Sequence, residues 1–211
     1  MTAYHSAHLT PDPARRLVWQ AVARYLSPLV PADAAVLEIG AGYCDWINQV
    51  RAARRVAVDI WPELPAHVAS GVEARVLDVA SALPSLGAAT FDVVLASNLL
   101  EHFSPDDVGS VVDHVGGVLR RGGRFIIVQP NFRYAWRRYF DDYTHRSVFT
   151  DVSLPALLTA HGFRINSVHA KFLPYSLQRA RVPITSALVT AYLHSPFKPM
   201  AGQMLVVGSK E

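Results

Sequence analysis

The chain has 211 residues, 51% apolar and 18% Asp, Glu, Lys or Arg, enough to bury a substantial core and too hydrophobic for intrinsic disorder. A net charge of +3, with arginines in small groups such as Arg51, Arg54 and Arg55, is too mild for a nucleic-acid stripe, and the single cysteine, Cys44, excludes a disulfide-stapled scaffold. The longest run without a charged residue, Val182 to Phe197, is broken by Pro183 and Pro196 and falls short of a membrane span; with no basic segment and apolar stretch at the start, the expected location is cytoplasmic.

Residues 13–29 predict an amphipathic helix opened by Pro13, with Leu17, Val18, Ala21, Val22, Tyr25 and Leu26 on one face. Short apolar runs then predict strands over 34–40, 54–60, 74–79 and 91–98, with helical pieces over 43–51 and 64–70 between them. Ser104 caps a helix with Asp106 and Asp107 in its first turn; Arg120 and Arg121 are expected to close it, with Gly122 as the C′ residue. A fifth strand is predicted over 124–130, a helix over 153–161, a strand over 163–172, a helix over 184–194 and a last strand over 202–210. The alternation argues for an α/β fold, a mostly parallel sheet with helices on both faces, within one domain spanning 1–211. Segments 131–152 and 173–200 break the rhythm and read as acceptor-side insertions, the second being a lid, a homodimer surface or core.

The first strand ends in Glu38-Ile39-Gly40-Ala41-Gly42, where absent side chains let a ligand approach the backbone. Asp59 closes the second strand and can accept hydrogen bonds from both hydroxyls of a ribose; Asp78, near the end of the third, can accept from an adenine amino group. A dinucleotide would need a glycine loop that tolerates a pyrophosphate. Here Cys44 and Asp45 follow Gly42, and Glu38 and Asp45 would repel a phosphate. Acids favour a cofactor carrying sulfonium and ammonium groups, so the pattern points to S-adenosylmethionine rather than NAD.

The motifs Val36–Gly42, Val56–Ile60, Leu77–Val79, Phe91–Phe103 and Leu119–Asn131 resemble the class I S-adenosylmethionine-dependent methyltransferases, in that family's order. The resemblance implies a Rossmann-like seven-stranded sheet whose last strand is antiparallel and inserted between the fifth and sixth. It also implies that Glu38, Gly40 and Gly42 line the methionine part, Asp59 holds the ribose, Asp78 and the Val79 backbone meet the adenine, Trp61 covers adenine or ribose, and Asn98 closes the floor. Cys44 stands where the family often has another glycine. The tetrapeptide that marks base and glutamine N-methyltransferases is absent at 98–101, and Leu99-Leu100-Glu101-His102 resembles the small-molecule branch.

Methyl transfer to a hydroxyl needs alignment and removal of a proton. His145 is the first candidate base and His102 the second; Tyr139, Tyr143, Arg137 and Arg146 are candidates for holding the acceptor. Asp141 and Asp142 read as turn acids that pair with His145 or Arg146, and no metal is expected. The leading expectation is O-methylation of a small molecule such as a sugar or secondary metabolite, with no stable nucleic-acid complex. A non-catalytic adenosyl-binding protein and a macromolecular acceptor are the alternatives, the latter supported only by Arg133, Arg137 and Arg138.

Overall fold

A computed structural model describes residues 12–175 and 184–211. Helix α1 (Pro13–Leu26) is capped by Asp12, whose carboxylate accepts the Ala14 N–H. Strands β1 (Ala35–Ile39), β2 (Arg54–Asp59) and β3 (Val72–Val76) follow, then α2 (Val79–Ser85), β4 (Phe91–Ser97), α3 (Pro105–Val118) and β5 (Leu119–Pro130). A short helix α4 (Phe132–Ala135), then α5 (Ser153–Ala160), β6 (Phe163–Pro174), α6 (Ser186–His194) and β7 (Ala201–Lys210) complete the chain. The seven strands form one sheet in the order β3-β2-β1-β4-β5-β7-β6, with β7 antiparallel to both neighbours. This is the order that the family resemblance implied.

Both faces are covered, and the period of two along each strand divides the core. Val36, Val93, Leu95, Ile126 and Val128 face α1 and α6, while Leu37, Ile39, Val94, Phe125 and Ile127 face α2, α3 and α5. Within 173–200, Val189 and Leu193 of α6 pack into the same cluster as Val18 and Val22 of α1, so this helix belongs to the core. The stretch 176–183 of that candidate insertion lies outside the described residues.

Four local expectations are corrected. The piece 43–51 is not an α-helix; only a 3-10 turn spans Ile47–Gln49, because Cys44 takes a left-handed φ of +58° and the Glu38 carboxyl takes the Ile47 N–H. Residues 64–70 shrink to a 3-10 turn over Leu64–Ala66, since the Asn48 amide binds the His67 carbonyl and accepts the Ala69 N–H. The third strand lies at 72–76 rather than 74–79, and Asp78 caps the unforeseen helix α2. Helix α3 stops at Val118: the carbonyls of Gly117 and Val118 accept the N–H groups of Ala89 and Thr90, so Arg120 and Arg121 enter β5. Arg120 then pairs with Asp92.

Candidate functional site

The carboxyl edge of the sheet gathers the predicted cofactor residues. After β1 the backbone turns through Gly40 (φ +67°) and Gly42 (φ +49°). A Cβ on Gly40 would lie 2.8 Å from a methyl carbon of Leu99, besides the cost of its left-handed backbone. Asp59, buried at the end of β2, holds this turn: one carboxylate oxygen accepts the Gly42 N–H at 2.8 Å and the other the Trp61 N–H at 2.9 Å. The Leu77 N–H donates to the Asp59 carbonyl, bringing Asp78 alongside. Asp78 itself is exposed and accepts the Ala80 N–H as the cap of α2, while Val79 is buried in that helix's first turn. Glu38 lies buried near the turn; burial pushes its carboxyl up to about 8 against the opposing pull of the Ile47 N–H.

Trp61 is also buried. Its ring stacks on His67 at 4.7 Å and meets Tyr43 edge-on at 5.0 Å. A cleft of about 470 Å³ opens beside this trio, lined by Asp12, Arg16, Tyr43, Asp45, Asn48 and His67 among others. It flanks the glycine turn; Glu38, Asp59 and Asp78 do not line it. Cys44 is fully buried with its thiol pushed far up by that burial, which leaves no nucleophile there.

Asn98 follows β4 in a left-handed conformation (φ +47°), exposed, its N–H bound to the Val128 carbonyl. A 3-10 turn over Leu100–His102 then presents Glu101 and His102. The Glu101 carbonyl accepts the N–H groups of Arg146 and Ser147, which lays segment 131–152 across this turn. That docking brings His145 to His102, with ring centroids 5.0 Å apart.

Hydrogen bonds fix much of the pair's chemistry. The Thr144 hydroxyl donates to Asp142 at 2.6 Å and lies 2.9 Å from His102 Nδ1. Its single proton being used, Nδ1 of His102 must donate to it. Likewise His145 Nδ1 lies 2.6 Å from the Tyr139 carbonyl, so that nitrogen carries a proton. Burial, with His145 nearby, holds the His102 imidazolium below its ordinary range; the His102 ring also bonds the Asn98 backbone. Burial would raise Asp142, yet the Thr144 hydroxyl and N–H bonds outweigh it and keep the carboxyl below its usual range.

The acceptor-side candidates separate. Tyr139 is fully buried and donates its hydroxyl to the Ser147 carbonyl, so it positions His145 and does not offer a wall to an acceptor. Tyr143, Arg137 and Arg146 lie exposed on the same arm, Arg137 over the Trp136 ring. Asp141 turns outward to Arg138. The sequence reading passed over Glu101 and Thr144. An acid set among Leu99, Leu100 and Phe103 was the available signal for Glu101; nothing in the sequence marked Thr144.

A family model described as a methyltransferase domain matches residues 13–168. No curated protein matches the chain significantly. Among solved structures, a SAM-dependent methyltransferase from Archaeoglobus fulgidus superposes with a TM-score of 0.71 at 17% identity, covering 99% of both chains. A SAM-dependent methyltransferase of Thermotoga maritima, described as a possible histamine N-methyltransferase, gives 0.69 at 16% identity over 100% of this chain and 95% of that one. A chain of the complex between the Haloferax volcanii Trm112 methyltransferase activator and a methyltransferase gives 0.68 at 14%, over 90% and 88%. At these identities the likeness is one of fold.

Proposed function

The chain belongs to the methyltransferase-domain family and uses S-adenosylmethionine; on that premise we propose that its acceptor is a small molecule methylated at oxygen. The observation that carries the reading is the clamped glycine turn, with Glu38 and Asp59 from adjacent strands and Asp78 at the cap of α2 beside them, linked through Asn98 and Leu99 to a half-buried histidine pair. The donor set fits the cofactor. Asp59 accepts a backbone N–H on each carboxylate oxygen, which aims the carboxylate at the turn, and a carboxylate is the acceptor that ribose hydroxyls require. Glu38 with the backbone of Gly40 and Gly42 would take the methionine end, Asp78 and Val79 the adenine, Trp61 its flank, and Asn98 the floor. Bound there, the cofactor supplies a methyl carbon already activated by its sulfonium.

The remaining work falls to the protein. His145 is the base: with Nδ1–H held by the Tyr139 carbonyl, its basic atom is Nε2, which takes the acceptor's hydroxyl proton. The resulting imidazolium sits with Nε2 3.9 Å from the Asp142 carboxylate, which steadies it. His102, oriented through Thr144, is the alternate base. Tyr143, Arg137 and Arg146, exposed on the same arm, would hold an acceptor's polar groups. A small acceptor is favoured over RNA because Arg133 pairs with Asp151 and Arg138 with Asp141, which breaks up the basic group.

Titration calorimetry with S-adenosylmethionine and its demethylated product tests the cofactor assignment; absence of binding overturns it. A panel of hydroxyl and amine acceptors tests the chemistry. The expected result is turnover on a hydroxyl compound that collapses in His145→Ala with cofactor affinity unchanged, and turnover restricted to amines refutes oxygen as the methylated atom.

A further inference from the structure

Glu101 has no exposed surface, and both of its carboxylate oxygens lack a hydrogen-bond partner among the described residues. Leaving a buried carboxyl in that state costs a few kcal/mol, which a bound cation would offset. Ligand-capable atoms of Glu101, His102 and His145 lie within 4.8 Å of one another. We propose that these three residues form a binding site for one divalent transition-metal ion of zinc-like preference. The site joins the 3-10 turn after β4 to the arm after β5.

Two features beyond the cluster support it. Metal-bound histidines commonly donate their second ring N–H to a carbonyl or carboxylate, which fixes the tautomer. His145 Nδ1 donates to the Tyr139 carbonyl, and His102 Nδ1 reaches the Asp142 carboxylate through the Thr144 hydroxyl. Nε2 is then the ligating atom of each ring, and His102 gives up its contact with the Asn98 backbone. The donor set of two imidazoles and one carboxylate suits zinc and its neighbours and leaves coordination positions open, whereas magnesium and calcium prefer oxygen ligands alone. With donors at about 2.0–2.2 Å from zinc, the three side chains draw inward on binding. The ion compensates the buried carboxylate that has no other partner. The proposal departs from the expectation from sequence, which was that no metal binds.

The role of the ion rests on the methyl-transfer reading and takes over the task given there to the histidine base: with both Nε2 atoms on the metal, an acceptor hydroxyl placed on an open position would become more acidic and its proton would pass to water. Metal binding by itself does not rest on that reading. The test uses the full chain without an affinity tag, stripped by chelator and titrated calorimetrically with Zn²⁺, then separately with S-adenosylmethionine. One Zn²⁺ per chain at micromolar affinity or tighter is expected, with Glu101→Gln and His145→Ala each weakening it at least tenfold. His161→Ala, which alters a histidine paired with Asp113 on the surface, should leave it unchanged. Cofactor binding by the same variants reports that they are folded. Should a variant fail to fold, Co²⁺ bound to the wild-type chain supplies the second measurement: a visible absorption band displaced by Zn²⁺ supports the site. Absence of stoichiometric Zn²⁺ binding, no such band, or affinity that survives both substitutions overturns it. A chain that binds the cofactor but not Zn²⁺ loses the metal site alone; one that binds Zn²⁺ but not the cofactor loses the methyl-transfer reading alone.

Discussion

Replacing Glu38 by glutamine should make the protein more stable at neutral pH and weaken its hold on the cofactor. The folded carboxyl is raised from its ordinary value of 4.5 to about 8 by burial. Between those values the unfolded chain loses the proton while the folded chain keeps it, so folding takes up a proton and stability falls as pH rises. Below pH 4.5 the two states are equally protonated and the group costs nothing. At pH 7 the cost reaches roughly 3–4 kcal/mol, at about 1.4 kcal/mol per pH unit. Glutamine does not titrate and its carbonyl can still accept the Ile47 N–H. At about 2–4 °C per kcal/mol for a domain of this size, Glu38→Gln should raise Tm by roughly 7–14 °C at pH 7 and by little at pH 5. Scanning fluorimetry of both proteins from pH 5 to 9 reads this. A cationic cofactor favours the ionised form, so wild-type affinity for S-adenosylmethionine should rise toward pH 8, and the slope should vanish in the variant. Parallel Tm curves, or a variant less stable than wild type at pH 8, would refute the reasoning.

Three further outcomes are expected. Gly40→Ala puts a Cβ against Leu99 on a left-handed backbone, and chemical denaturation should show a loss of about 1–2 kcal/mol together with weaker cofactor binding. Asp59→Ala strips acceptors from the Gly42 and Trp61 N–H groups as well as the ribose; calorimetry should show affinity for S-adenosylmethionine reduced about tenfold or more, from the 1.5–3 kcal/mol typical of charged hydrogen bonds, and unchanged affinity would reject the assignment. Cys44 should resist a thiol reagent in the native state and react on unfolding, since its sulfur is buried and its thiol held protonated.

Much of the candidate cofactor edge was readable as a cluster because it is local. Gly40, Gly42 and Asp59 sit at strand ends that the apolar runs announce, and parallel strands with crossovers place successive carboxyl ends side by side. The turn after Gly42 was misread as helix because periodicity cannot see a distant carboxyl claiming the Ile47 N–H. Asp78 was placed on a strand for a similar reason: a cap is recognised only once its helix is seen, and the Pro84 inside α2 masked it.

What the sequence determined by itself is what repeats at short range: strands at a period of two, helices at 3.6, glycines and acids at the turns between them, and hence the layered sheet and its candidate cofactor edge. What only the tertiary structure decided is the meeting of Glu101 and His102 with His145, more than 40 positions along the chain. That contact depends on the Glu101 carbonyl capturing the Arg146 and Ser147 N–H groups. Backbone hydrogen bonds of this kind carry no residue identity, so no pattern in the letters could announce them.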